Sequence, residues 1–265
     1  MNTGVQIPQI GYGMWIVLPG IVAKKAVKSA LETGYRHFDT AQAYHNEQHL
    51  GHALKDSSVK RKDVFITTKI RTSNLSAEDV IPSFEKSLKK LQTDYVDLLL
   101  IHFPVTETRQ GAWQKLEEIH KSGRAKAIGV SNYMVGHLEE LLAQCQVKPA
   151  VNQIELHLFL QMKDVVDYCH KNGIVVEAYS PLAHAKKMEH PVIKKLAKKY
   201  GKTNAQIMLR WCVDIGSVPL PKSTHKERIQ ENINIFDFQL DKKDLAELSK
   251  LDMNLRTCWD PTNIL

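Results

Sequence analysis

A chain of 265 residues, 43% hydrophobic and 25% charged, has the balance of one large globular domain and excludes a disordered or fibrous protein. Its net charge of +7 lies in lysines spread along helices, as in KSLKK at 86–90 and KKLAKK at 194–199, without the basic and aromatic pattern of a nucleic-acid binder; an anionic cofactor or substrate fits the excess instead. No apolar run reaches the roughly 18 residues of a membrane span, and Cys145, Cys169, Cys212 and Cys258 form no CxxC pair, so a cytoplasmic protein with reduced thiols is expected; a monomer is expected as well.

From the amino end, TGVQIPQIGYGMW alternates apolar and polar residues and reads as a short strand ahead of the main fold, with any hairpin partner truncated. Ile21 to Thr33 places Ala23, Ala26, Val27, Ala30 and Leu31 on one helical face, and Gly34 is the stop. The stretch GYRHFDTAQAY then passes from a buried strand to a polar turn carrying Asp39 and Tyr44. VFITTK closes at Lys69 and VDLLLIH at His102.

Further strand ends fall near Ser131, Gln153, Tyr179 and Lys222, and NINIF at 232–236 is the eighth candidate strand. Between them, Ser76 with Asp79 is a capping-box pattern, Gly123 and Gly173 are helix stops, and Asn204 to Val213 has helical periodicity. Pro82, several residues into its helix, predicts a lost hydrogen bond or a bend. Leu240 to Met253, opened by Asp241, reads as a last helix, and residues 254–265 as a short tail.

Regular alternation of strand and helix is the pattern of an α/β fold. A doubly wound sheet would open on a glycine-rich phosphate turn, and neither GxGxxG nor GxxxxGK[ST] is present. The expected architecture is therefore a single-domain (β/α)₈ barrel over residues 1–265. Strands linked by helices lie parallel and bring their carboxyl ends to one side, so Asp39, Tyr44, Lys69 and His102 are expected to meet there. Four ionisable side chains at corresponding ends of consecutive strands point to a catalytic centre.

Two other classes compete. His45 and His49 in HNEQH are spaced to bind zinc on a helix, as in a metal-dependent hydrolase, but Glu47 stands one place too late for HExxH and no metal site is expected. A non-catalytic nucleotide-binding barrel is the second rival, and the intact set of four polar groups argues against it.

DTAQAY, ITTK, LLLIHFP, IGVSNY, VNQIELH, AYSPL and VPLPKSTHKERIQEN, in that order and at those spacings, make the chain resemble the aldo-keto reductases over nearly its whole length. It is similar to their short group, which includes diketogluconate reductases and parasite prostaglandin F synthases. The resemblance implies NADPH-dependent reduction of aldehydes and ketones by a tetrad of Asp39, Tyr44, Lys69 and His102. In chemical terms Tyr44 gives a proton to the carbonyl oxygen, Lys69 lowers the phenol's pKa, Asp39 keeps Lys69 charged, and His102 orients the substrate.

By the same resemblance Ser131, Asn132 and Gln153 hold the nicotinamide carboxamide, Tyr179 stacks on its ring, and Ser180, Pro181 and Leu182 follow along the cofactor. Lys222, Ser223, Thr224 and Arg228 would take a phosphate monoester, which points to NADP rather than NAD, and Glu231 and Asn232 the adenine. There are departures. Ile70-Arg71 stands where many relatives carry an aromatic and Phe103 where they carry a tryptophan, and AHAKK, with Ala183 and Ala185, replaces glycines of the pyrophosphate loop. Trp15, Phe103 and Trp259 are pocket candidates beside His102, and Arg71 is a candidate grip for a substrate carboxylate.

Overall fold

The computed structural model describes residues 1–262. Eight strands follow one another in sequence order around one sheet: β1 (Tyr12–Gly13), β2 (His37–Asp39), β3 (Phe65–Ile70), β4 (Val96–Ile101), β5 (Ala125–Ser131), β6 (Val151–Glu155), β7 (Val175–Tyr179) and β8 (Ser217–Pro219). Every adjacent pair is parallel. The last strand closes on the first, because Gly11 N donates to the Pro219 carbonyl and Gly13 N to the Pro221 carbonyl, both at 3.0 Å. The result is the expected single-domain barrel.

That seam corrects two expectations. The eighth strand is not NINIF, whose first two residues end a helix, but Tyr12–Gly13, which belongs to the barrel rather than preceding it. Residues 1–9 hold no strand. Only two residues long and half glycine, β1 carries almost none of the β-branched signal that marks a strand. Glycine is required there: a Cβ on Gly13 would stand 2.8 Å from the Leu220 carbonyl oxygen across the seam.

The helices are α1 (Ile21–Glu32), α2 (Glu47–Lys55), α3 (Val80–Leu91), α4 (Arg109–Lys121), α5 (Val135–Gln144), α6 (Lys163–Lys171), α7 (Pro191–Tyr200), α8 (Asn204–Asp214), α9 (Lys226–Ile233) and α10 (Lys242–Leu248). In α1 the buried residues are the five that its periodicity predicts. Pro82 is the third residue of α3, within the first turn, where backbone N–H groups have no intrahelical partner, so the expected bend is not needed. Ser76 and Asp79 bond each other, Oγ to Oδ2 at 2.7 Å, in the turn before α3. The last helix is shorter than Leu240 to Met253; after α10 the chain tightens to a 3₁₀ turn over Ser249–Leu251. Of the predicted tail, residues 263–265 lie outside the described part.

Side chains alternate along the strands and sort into two cores. Leu99 and Ile101 of β4 pack outward under the helices, while Leu98 and Leu100 join Phe65, Ala127 and Val151 in a small inner cluster. Met1, Val5 and Ile7 cover that cluster from the amino-terminal side. Toward the carboxyl ends of the strands the interior becomes polar, with His37, Asp39, Thr67, Lys69, Gln153 and Glu177 all buried. Among the described residues no helix is long and apolar enough to cross a membrane, and all four cysteines are free.

Candidate active site

Asp39 is the last residue of β2 and Lys69 the fifth of β3; the parallel register sets Asp39 beside Thr67, and Lys69, two residues further along β3, reaches back to it. Lys69 Nζ donates to both Asp39 carboxylate oxygens at 2.7 Å and to the Thr40 carbonyl at 3.1 Å. A 3₁₀ turn over Gln42–Tyr44 then returns the Tyr44 hydroxyl to the same ammonium, which donates to it at 3.3 Å. The His102 ring, just beyond β4, meets the Tyr44 ring edge to face at 5.5 Å between centroids. All four predicted groups are brought together.

Burial and charge set their protonation. For Lys69, burial alone would lower the pKa, but Asp39 and Tyr44 together raise it, so the ammonium is fixed. Burial raises the Tyr44 phenol, and the opposing pull of Lys69 is smaller. This reverses the expected net lowering: Tyr44 is held as the protonated phenol. Burial, aided by Lys69, lowers His102 to about 3, so its imidazole is neutral and keeps one N–H to donate.

Behind the four lies a layer of Gln153 with two residues that the sequence reading passes over, Glu177 and His37. Gln153 Nε2 donates to Asp39 Oδ2 at 2.8 Å and to Glu177 Oε2 at 2.7 Å. Glu177 is fully buried, and burial with the nearby Asp39 charge raises its pKa to about 8. His37 completes the layer, bonding Thr67 at 3.0 Å, with burial lowering it to about 3. A carboxylate inside the apolar run VVEAY was the available signal.

The residues proposed for the carboxamide also converge. Ser131 Oγ donates to the Gln153 carbonyl, Asn132 Nδ2 to the His102 carbonyl at 3.0 Å and to Ser131 Oγ at 3.1 Å, and the Tyr179 hydroxyl to Asn132 Oδ1 at 2.7 Å. Both Gln153 N–H groups are engaged inward, and among the described residues nothing donates to its side-chain oxygen. Ser180 Oγ lies 3.1 Å from His184 Nε2 and 3.5 Å from Cys258 Sγ, Pro181 is buried, and Leu182 packs on the core.

Farther along, Lys222, Thr224 and Arg228 are exposed, Arg228 in the first turn of α9, and Ser223 Oγ accepts from His225 N at 3.1 Å. Neither Lys222 nor Arg228 has a hydrogen-bond or ion-pair partner among the described residues. Asn232 is buried, whereas Glu231 accepts from Thr203 Oγ1 at 2.6 Å and is tied to the start of α8.

The pocket candidates divide. Trp15 is half exposed and meets His184 edge to face at 5.5 Å, Phe103 is half-buried beside His102, and Trp259 is 82% exposed. Arg71 lines a side cleft with Gln42 and His45 whose walls include none of the four central groups. His45 stands before α2 with φ 55°, so it does not share a helical face with His49, and no metal-binding cluster forms among the described residues.

A model described as the aldo/keto reductase family matches residues 10–253. The chain is 42% identical over 265 residues to a glyoxal reductase of Bacillus subtilis, covering 100% of this chain and 96% of that protein. It is 43% identical over 265 residues to methylglyoxal reductase DkgA of Escherichia coli K12, covering 98% and 95%. Among solved structures, an aldo-keto reductase complexed with NADPH superposes with a TM-score of 0.93 at 38% identity, covering 97% of this chain and 88% of that one.

Proposed function

The chain belongs to the aldo/keto reductase family and is an NADPH-dependent oxidoreductase of aldehydes and ketones; within that activity we propose that Tyr44 is the proton donor, Lys69 and Asp39 its activators, and His102 the group that orients the carbonyl. One observation carries the assignment: a single ammonium contacts both oxygens of Asp39 and the hydroxyl of Tyr44.

The residues present fit the cofactor. Gln153 keeps an unpaired side-chain oxygen beside Ser131 and Asn132, which suits a carboxamide N–H, and Tyr179 adds an aromatic face. Lys222 and Arg228, cationic and unpartnered, suit a phosphate monoester, with Ser223 and Thr224 between them. NADPH, when bound, supplies the hydride that no side chain carries.

As negative charge grows on the substrate oxygen, the Tyr44 hydroxyl transfers its proton there. Lys69 stabilises the phenolate left behind, and Asp39 holds Lys69 charged and in place. The neutral His102 donates a hydrogen bond to the same oxygen, so orientation does not depend on a second titrating acid. A monomer acting on small carbonyl compounds completes the reading, with a reduced cytoplasmic setting that the four free cysteines fit.

The names of the relatives make glyoxal and methylglyoxal the first substrates to assay. Wild type should consume NADPH with them. Tyr44→Phe should lower kcat by about 10²-fold or more while NADPH binding, followed by fluorescence, stays within twofold. Turnover by Tyr44→Phe at the wild-type rate refutes the assignment.

A further inference from the structure

Arg71 opens a second question. Its backbone N–H is held by Gln42 Oε1 at 3.1 Å, and Gln42 is itself fixed by Asn74 Nδ2 at 2.9 Å and by its own donation to Ser87 Oγ at 3.1 Å. The base of the side chain is therefore placed. Its head is not satisfied: Nε is buried without an acceptor, and among the described residues no carboxylate pairs with the guanidinium. Leaving a half-buried guanidinium without an anion is costly.

Arg71 lines a cleft of about 150 Å³ beside α3. Gln42, Ser83 and Ser87 form a buried polar floor, and Lys86, Lys90 and His45, with the single carboxylate of Asp79, line an exposed rim. The local carboxylates are mostly engaged. Asp79 accepts from Ser76 Oγ at 2.7 Å, and buried Glu47 accepts from Thr68 Oγ1 at 2.8 Å and lies 3.5 Å from Lys90 Nζ. Arg71 and Lys86 remain unpaired. The volume is on the order of ten times the ~10–15 Å³ that one water needs by the same measure, so a multi-atom anion fits.

We propose that this cleft is an anion site separate from the cofactor and the carbonyl pocket, taking the phosphate group of a small phosphorylated metabolite. A tetrahedral dianion presents oxygens in several directions, to the Arg71 fork, the Lys86 ammonium and the serine hydroxyls, whereas a planar carboxylate satisfies the fork alone. The site goes beyond carbonyl reduction and stands whether or not that reading holds.

The probe is inorganic phosphate, titrated by calorimetry at fixed ionic strength into protein saturated with NADP, so that the cofactor's own phosphate position is filled. One saturable site is expected. Arg71→Ala and, separately, Lys86→Gln should each weaken it at least fivefold, Arg228→Ala should leave it unchanged, and acetate should bind at least tenfold more weakly than phosphate. Thermal unfolding checks that each variant is folded, and Lys86, being exposed, keeps the test open if Arg71→Ala does not fold. Absence of saturable phosphate binding, binding that survives both cleft substitutions, loss on Arg228→Ala, or equal affinity for acetate overturns the proposal.

Discussion

At the scale of single residues, the centre separates groups by environment. Lys69 and His102 share a site, yet one is held charged and the other neutral, because Asp39 compensates the burial of the lysine and nothing compensates that of the histidine. These assignments were legible as residue types at strand ends, but the sign of the Tyr44 shift was not: it depends on how deeply the phenol is desolvated, which no spacing encodes. Coenzyme choice belongs to this scale too. Arg228, exposed and unpartnered in the first turn of α9, should contribute only when a phosphate monoester is there to accept from it. Arg228→Ala should therefore weaken NADPH by about 1.5 to 3 kcal/mol, more than tenfold in affinity, and leave NADH within twofold in a fluorescence titration. Equal losses for both coenzymes would remove Arg228 from the phosphate site.

At the scale of elements, the segment after β7 stands out for its backbone. Ser180, Ala183, His184, Ala185 and Lys187 all have positive φ between 49° and 61°. Where sequence reading leaves the path of AHAKK open, the chain follows a left-handed course that glycine would adopt without strain. Each such residue costs about 1–2 kcal/mol, offset in a glycine by about 0.5–1 kcal/mol of extra chain entropy. Ala185 is exposed and has φ 61°, so Ala185→Gly should stabilise the cofactor-free protein by about 0.5–1 kcal/mol, read as a higher urea midpoint at unchanged slope. A lower midpoint would show that the left-handed path is not strained at this residue. The longer helices, such as α1, and the central strands, such as β3 and β4, were legible because each carries an apolar pattern. β1 was not, because its identity as a strand comes from backbone pairing alone, to Phe38 and Asp39 of β2 on one side and across the seam on the other, and NINIF imitated a strand because Ile233 and Ile235 alternate while packing on the core.

At the scale of the whole molecule, the barrel encloses titratable groups whose preferences oppose one another, and stability should follow pH accordingly. His37 and His102 are both lowered to about 3 by burial, so the fold disfavours their cations. Their contribution is complete above the unfolded value near 6.5 and is lost as pH falls from there toward 3. Glu177 runs the other way. Raised from 4.5 to about 8 by burial and the Asp39 charge, it is neutral in the fold where it would be ionised in the unfolded chain. Its contribution is complete below 4.5 and is lost as pH rises through 8. Between pH 6 and pH 8 the unfolded chain has released this proton while the fold largely retains it, so the cofactor-free protein should lose stability by about 2 kcal/mol over that interval. Glu177→Gln isolates the term: it keeps an oxygen that accepts from Gln153 and cannot ionise. Denaturant unfolding at pH 6 and pH 8 should show the decline in wild type and a nearly flat response in Glu177→Gln, with the acid limb unchanged because His37 and His102 remain. If the variant declined between pH 6 and pH 8 as steeply as wild type, the alkaline loss would belong to another group, and Glu177 would have to be ionised beside Asp39, with Lys69 shared between two carboxylates.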